Sequence, residues 1–289
     1  MSLAALSLVV LAAIIHAGWN LLAKRAAAVG PVFVFSYALC SAVLYLPWAA
    51  WALMDGDMRW TVPAALCVFA SAALHLFYSL CLQRGYQVAD LSVVYPVARG
   101  TGPLLSSVAA FALLGETPHL STVAGVLCVV AGIFCIATQG QWARFAQPQA
   151  WTGVRWGACT GLLIACYTVV DAYGVKVLLI SPILLDWFTS ALRAGMLAPY
   201  VARQGRRGWQ AMRGYWPLAW AIGALAPLSY ILVLQALRGG APVSLVAPAR
   251  EMSMMAGALL GMLVLGEKAG PWRLAGCTIL IGGVVLLGA

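Results

Sequence analysis

One stretch occurs twice in this chain, and the repetition limits the folds open to it. Residues 90–116 read DLSVVYPVARGTGPLLSSVAAFALLGE, and residues 241–267 read APVSLVAPAREMSMMAGALLGMLVLGE. Both are apolar enough to cross a bilayer. Both carry a proline followed by an arginine, and both close on Gly-Glu (Gly115-Glu116, Gly266-Glu267). The glycines that follow also repeat, Gly125 and Gly132 against Gly276 and Gly283. From Glu116 onward the offset is 151 residues, whereas Pro96 and Pro248 differ by 152, so one residue was gained or lost between proline and arginine. An arginine inside lipid is expensive. Two copies of a proline-broken segment that each keep one point to a transporter built by duplication.

The composition agrees. Hydrophobic residues make up 63% of the 289 and charged residues 9%, against roughly 25% charged in a soluble domain. The solvent is therefore lipid. At about 20 residues per crossing, helices are expected at 3–23, 31–53, 61–82, 91–114, 119–139, 154–178, 182–202, 215–237, 242–265 and 272–288. A polar break at 140–153 separates residues 1–139 from 154–289, five helices each, and a second loop with four arginines is expected at 203–214. The expected fold is an all-α integral membrane protein, ten transmembrane helices as two inverted five-helix repeats. An odd number of crossings per repeat turns the second copy over relative to the first. The apolar N-terminal run has no basic flank and no cleavage site, so it reads as a first helix that stays.

The net charge of +9 does not indicate nucleic acid, because the basic residues lie in short loops. Outside the spans, eleven Lys and Arg fall on one face and three on the other. The positive-inside rule then puts the rich face in the cytoplasm and both termini outside, in a multi-pass protein of the inner membrane. The eight cysteines all lie in apolar spans with no CxxC pair, and His16, His75 and His119 show no metal spacing. No Walker lysine, HExxH, GxSxG or paired-aspartate motif occurs. Neither ATP-driven transport nor an intramembrane enzyme acting on lipid is expected, nor any metal or cofactor. A non-transporting scaffold has no use for buried arginines.

Arg99 and Arg250 lead the candidate residues. Each lies about 12 Å into its helix at 1.5 Å per residue. Each is read as a forked donor to an anionic solute group; the alternative is a bridge to Asp171, Glu251 or a freed helix carbonyl. Pro96 and Pro248 are read as hinges or static kinks. Asp171 and Glu251 are candidate proton-coupling carboxylates, and Asp171 has an ion pair with Lys176 as its alternative. At the repeat offset, His16–Asn20 falls on Tyr167–Asp171. His16, Trp19 and Asn20 mark one end of helix 1, and His75 and Tyr78 share a face of helix 3. Tyr95, Tyr167 and Tyr230 add aromatic lining, with Trp187 and Arg193 as weaker candidates. Gly153, Gly157 and Gly161, and the pair Gly257 and Gly261, read as close-packing faces. Glu116 and Glu267 read as solvated helix ends.

The HAGWN of helix 1, the VYPVARGTGPLL of helix 4, the LGE endings and the Gly-rich helix after each resemble the drug/metabolite transporter superfamily, and within it the EamA-type permeases and exporters. The resemblance covers nearly the whole chain. It implies a cavity lined by helices 1, 3, 4, 6, 8 and 9, supported by 2 and 7, with helices 5 and 10 outside. The second copy departs from the first: Ala247 stands for Tyr95, and Glu251 stands where the first copy has Gly100. The excess of Arg99, Arg193 and Arg250 over Asp171 and Glu251 favours an anionic or zwitterionic metabolite, while the aromatic residues would suit an aromatic or cationic one. A proton or an exchanged solute is the expected coupling partner, and a monomer or weak homodimer the expected assembly.

Overall fold

The computed structural model describes residues 2–26, 29–56, 58–148, 150–265 and 270–288. Among these, every regular element is a helix. The order is α1 (Leu3–Lys24), α2 (Pro31–Met54), α3 (Val62–Val88), α4 (Leu91–Leu113), α5 (Leu120–Thr138), α6 (Ala150–Lys176), α7 (Pro182–Ala211), α8 (Trp216–Arg238), α9 (Val243–Ala249), α10 (Met252–Leu265) and α11 (Pro271–Gly288). α9 and α10 together make the ninth crossing, so ten crossings result. α1, α2, α3, α5, α6, α8 and α11 are each long and apolar enough to cross a membrane by themselves. Of the other three crossings, α4 and α7 carry Arg99 and Arg193, whose charges lower their hydropathy, and the ninth is split at Arg250 into two helices each too short to span alone. Large apolar side chains such as Leu11, Leu44, Leu66, Phe69 and Ile281 point outward, as a bilayer requires.

Local chemistry sets the ends. Ser2, Thr61 and Asp90 cap α1, α3 and α4 by accepting from backbone N–H groups of the first turn. Proline opens α2, α3, α7 and α8, where its missing N–H is harmless. Some elements outrun the sequence reading. α3 continues to Val88 and α6 starts at Ala150, after a short 3-10 turn over Trp142–Ala146. The arginine-rich loop expected at 203–214 is mostly helix: α7 runs to Ala211, bent at Gly205 (φ 51°, ψ −134°), a conformation closed to other residues. Arginine is a good helix former. Here Val201, Gly208 and Met212 turn inward while Arg203, Arg206, Arg207 and Arg213 stay exposed.

The packing has an internal two-fold. α1 packs on α8 as α6 packs on α3, and α4 on α6 as α10 on α1. The counterparts α2 and α7 pack on each other, as do α5 and α11. At the last contact a Cβ on Gly125 would meet the Gly283 carbonyl at 2.9 Å, and one on Gly132 the Gly276 carbonyl at 2.8 Å. Rising numbers on one helix meet falling numbers on the other, so these repeat counterparts are antiparallel. Their two-fold axis therefore lies across the helices, in the membrane plane, which is the geometry of an inverted repeat. Gly153, Gly157 and Gly161 form a second close contact, against Val93, the Val94 carbonyl and Thr101 of α4. Of the pair Gly257 and Gly261, nothing among the described residues lies within 4 Å of a Cβ on Gly257, and the surroundings of Gly261 lie outside the described residues. The closing residues Gly266 and Glu267 lie outside the described residues.

The two prolines behave differently. α4 runs unbroken through Pro96. The ninth crossing breaks just after Pro248, where Arg250 and Glu251 form a turn. Tighter bonds replace the helical ladder there: Glu251 N donates to Pro248 O, Ser253 N to Arg250 O and Met254 N to Glu251 O. The break coincides with the residue missing between proline and arginine in the second copy.

Candidate functional site

Six crossings bring the candidate residues into one buried cluster: α1 with His16 and Trp19, α3 with His75 and Tyr78, α4 with Tyr95 and Arg99, α6 with Tyr167 and Asp171, α8 with Tyr230, and the α9–α10 turn with Arg250 and Glu251. Arg99 is 5% exposed. Its Nη1 donates to Glu251 Oε1 at 3.3 Å and its Nη2 to His16 Nε2 at 2.6 Å, and its guanidinium lies 5.6 Å from the Tyr95 ring centre. A guanidinium only donates, so His16 accepts at Nε2 and carries its proton on Nδ1. The His16 ring meets Trp19 edge-on at 4.7 Å. Arg99 is therefore anchored by a carboxylate, a base and a ring.

Arg250 Nη2 donates to the Tyr167 hydroxyl at 3.3 Å. Arg99 with His16 and Arg250 with Tyr167 occupy equivalent positions in the two repeats, each pair 83 residues apart. Only the second copy has an acid beside its arginine. Glu251 reaches across to Arg99, because adjacent residues on a helical turn do not face each other. One arginine is thus neutralised by the other repeat, and among the described residues Arg250 bonds to a neutral phenol instead.

Asp171 has none of its surface exposed. Its Oδ2 lies 2.9 Å from His75 Nε2 and also accepts from the Tyr230 hydroxyl. The His75 ring stacks on Tyr167 at 4.0 Å, Tyr230 meets His75 edge-on at 5.3 Å, and Tyr78 meets Tyr167 edge-on at 5.5 Å. Tyr167 thus touches both the Arg250 end and the aromatic box around Asp171. Lys176 does not pair with Asp171. It donates to the Ala241 carbonyl at 2.9 Å and pairs with Glu116 Oε1 at 3.7 Å.

Trp19 Nε1, Thr168 Oγ1, Asp171 Oδ1, Arg250 Nε, Glu251 Oε2 and Ser253 Oγ are buried and, among the described residues, have no hydrogen-bond partner. Well over nine-tenths of buried polar groups in folded proteins are paired. Here the orphans gather on α1, α6 and the α9–α10 turn, around the same cluster, and they include both charge signs. Asn20 is half-buried and its side chain bonds to none of the described residues. Trp187 donates to the Ala42 carbonyl at 2.8 Å, and Arg193 bonds within α7 to Thr189 O and Ser190 Oγ; both serve helix packing. Arg193 does not bond Asp186. No group of three His, Cys, Asp or Glu among the described residues is placed to hold a metal.

Glu116 departs from the solvated end expected of it. Its Oε1 accepts from Val243 N at 2.6 Å and its Oε2 from Ser244 N at 3.0 Å. The first turn of α9 has orphan N–H groups and a proline at its cap, so a carboxylate 127 residues away caps it. With Lys176 on α6, this clamp ties the end of α4 to the second repeat.

Residues 3–138 match the EamA-like transporter family. This half of the chain is an EamA-like transporter domain. The family is one of transporters and not of enzymes, and the domain ends beside the break that starts near residue 140. No curated protein matches the sequence. Of the solved structures, 29 chains match. One crystal structure superposes with a TM-score of 0.73 over 99% of this chain and 96% of its own, at 18% identity, a likeness of fold. The EamA-like half supplies His16, His75, Tyr95 and Arg99 to the cluster, and the rest of the chain supplies Tyr167, Asp171, Tyr230, Arg250 and Glu251.

Proposed function

We propose that the protein is a secondary transporter that carries a small zwitterionic or anionic metabolite across the inner membrane by alternating access. The observation that carries this reading is the set of orphaned polar atoms in a buried, charge-bearing cluster. Arg250 Nε offers a donor to a carboxylate or other anionic group, and Asp171 Oδ1, inside its aromatic box, offers an acceptor to an ammonium. Arg99, whose charge is already met by Glu251, acts as a support. A group with both charges would satisfy both ends without adding net charge to the lipid interior, where charge is most expensive.

Two five-helix repeats, residues 1–139 and 154–289 joined by 140–153, rock against each other in this mechanism. The ninth crossing, already broken at Arg250–Glu251, is the hinge nearest the solute; Pro96 gives α4 a weaker one. With the termini outside, the Glu116 clamp lies on the outer face and closes that side. A second reading, transport of an aromatic or cationic compound, draws on the box of His75, Tyr78, Tyr167 and Tyr230.

The test is a thermal-shift screen of the purified protein against amino acids, phosphonates, carboxylates and amines, followed by counterflow in proteoliposomes. A solute at about 100 Kd adds roughly 2.7 kcal/mol of stability. A shift with zwitterions or anions that vanishes in Arg250→Gln supports the proposal. A shift confined to amines and indifferent to Arg250→Gln would favour the second reading instead.

A further inference from the structure

α7 is longer than a bilayer requires. Its 30 residues measure about 45 Å at 1.5 Å each, against a hydrocarbon core of about 30 Å, so roughly the last ten extend past the hydrocarbon. Gly205 bends the helix near the start of that excess. Beyond the bend the segment has two sides. Gly208 and Met212 are buried, and Met212 joins Ala26, Val32, Val201 and Ala219 in one apolar cluster. The ends of α1 and α7 and the starts of α2 and α8 therefore meet at one face of the protein. The outward side carries charge of one sign. Arg203, Arg206, Arg207 and Arg213 are exposed, as is Arg25 after α1. No Asp or Glu occurs in residues 1–54 or 187–250, so the segments that meet here offer these guanidiniums no carboxylate. Among the described residues none of the five has an ion pair. Aromatic rings flank them. Trp209 stacks on Trp216 at 5.9 Å and is 48% exposed, and Tyr200 and Trp220 are exposed as well. Exposed Trp and Tyr settle at headgroup depth, which sets the arginines beside lipid phosphates.

We propose that this face binds an anionic phospholipid of the phosphatidylglycerol type, its phosphodiester held by Arg206 and Arg207 with Arg203, Arg213 and Arg25 around it. A guanidinium meets phosphate oxygens through paired N–H donors. A basic amphipathic segment next to a crossing favours an anionic bilayer surface over a neutral one. The apolar cluster behind the segment fixes the height of the arginines against the bilayer, and the exposed rings set that height at the headgroups. With the basic-rich face in the cytoplasm, the lipid belongs to the inner leaflet. The lipid site stands whichever solute the central cluster carries.

The experiment is native mass spectrometry of the full chain in detergent, titrated with phosphatidylglycerol or with phosphatidylcholine of the same acyl chains, reading the first lipid bound. The wild type is expected to bind phosphatidylglycerol about tenfold or more tightly than phosphatidylcholine. One arginine near a membrane surface is worth roughly fivefold in affinity for anionic lipid. Arg206→Gln combined with Arg207→Gln should therefore remove most of the preference and leave phosphatidylcholine binding unchanged. Arg203→Gln alone should lower it about fivefold and decides the matter should the double variant fail to fold. Arg59→Gln, at an exposed arginine beyond the far end of α2, should change it less than about twofold. Equal affinity for the two lipids in the wild type overturns the proposal, as does a full preference in the Arg206→Gln, Arg207→Gln variant. A loss of the same size in Arg59→Gln would mark a general effect of charge and overturns it too. Displacement of the lipid by an equal concentration of glycerol 3-phosphate would assign the patch to a soluble phosphate instead of a membrane lipid, and the proposal falls.

Discussion

Changing Glu251→Gln tests the central ion pair. Arg99 and Glu251 meet at 3.3 Å with side chains 6% and 1% exposed, so neither charge has water to fall back on. Removing one partner of a buried pair costs about 3–5 kcal/mol, mostly from the charge left behind. Arg99 keeps His16 and the Tyr95 ring, which places Glu251→Gln at the lower end, about 3 kcal/mol. Arg99→Met strands Glu251, whose Oε2 already lacks a partner among the described residues, a loss of similar size. The double variant, Arg99→Met with Glu251→Leu, removes both charges together and should lie within about 1 kcal/mol of wild type. The assay is equilibrium unfolding in mixed micelles by SDS titration, with Glu251→Leu measured as the second single variant so that it closes a double-mutant cycle with Arg99→Met. Additivity of the two single effects to within about 0.5 kcal/mol would show the residues uncoupled and would refute the assignment of Arg99 as a support.

Three further outcomes follow from the geometry. Arg250→Gln should unfold close to wild type, since among the described residues its side chain bonds to a neutral phenol and to no carboxylate. It should weaken solute binding about tenfold to a hundredfold, the worth of one charged hydrogen bond at roughly 1.5–3 kcal/mol, read by calorimetry. Glu116→Ala removes the cap of α9 and the Lys176 pair, a loss of about 1 kcal/mol. With Ala241→Cys as reporter, it should speed labelling by an impermeant thiol reagent added outside about fivefold, and an unchanged rate would show the clamp is no closure. Gly132→Ala drives a methyl to 2.8 Å from the Gly276 carbonyl, whereas Gly257→Ala meets nothing within 4 Å among the described residues. The first should cost about 1–3 kcal/mol and the second almost nothing, measured by the same SDS titration.

Much of this was legible along the chain because membrane insertion is nearly a one-dimensional problem. Crossing length and the cost of charge in lipid depend on local windows, so the spans, the duplication and the buried arginines could be read from residue types and offsets alone. The echo of Gly125 and Gly132 in Gly276 and Gly283 was legible as repetition, but that these glycines meet one another across α5 and α11 was not. What an offset cannot tell is which partner a side chain reaches. Glu251 lies next to Arg250 in sequence yet pairs with Arg99, because a helical turn points neighbours apart and packing of α4 against the ninth crossing brings the other repeat within reach. Glu116 reads as a solvated helix end until α9, 127 residues later, presents its unpaired N–H groups to it. Asp171 finds His75 and Tyr230 only because α3 and α8 both pack on α6. The chain order determined what crosses the membrane and which charges go in with it; tertiary packing decided which of those charges are neutralised and which keep an unpaired atom, since a hydrogen bond depends on ångströms in space and not on distance along the chain.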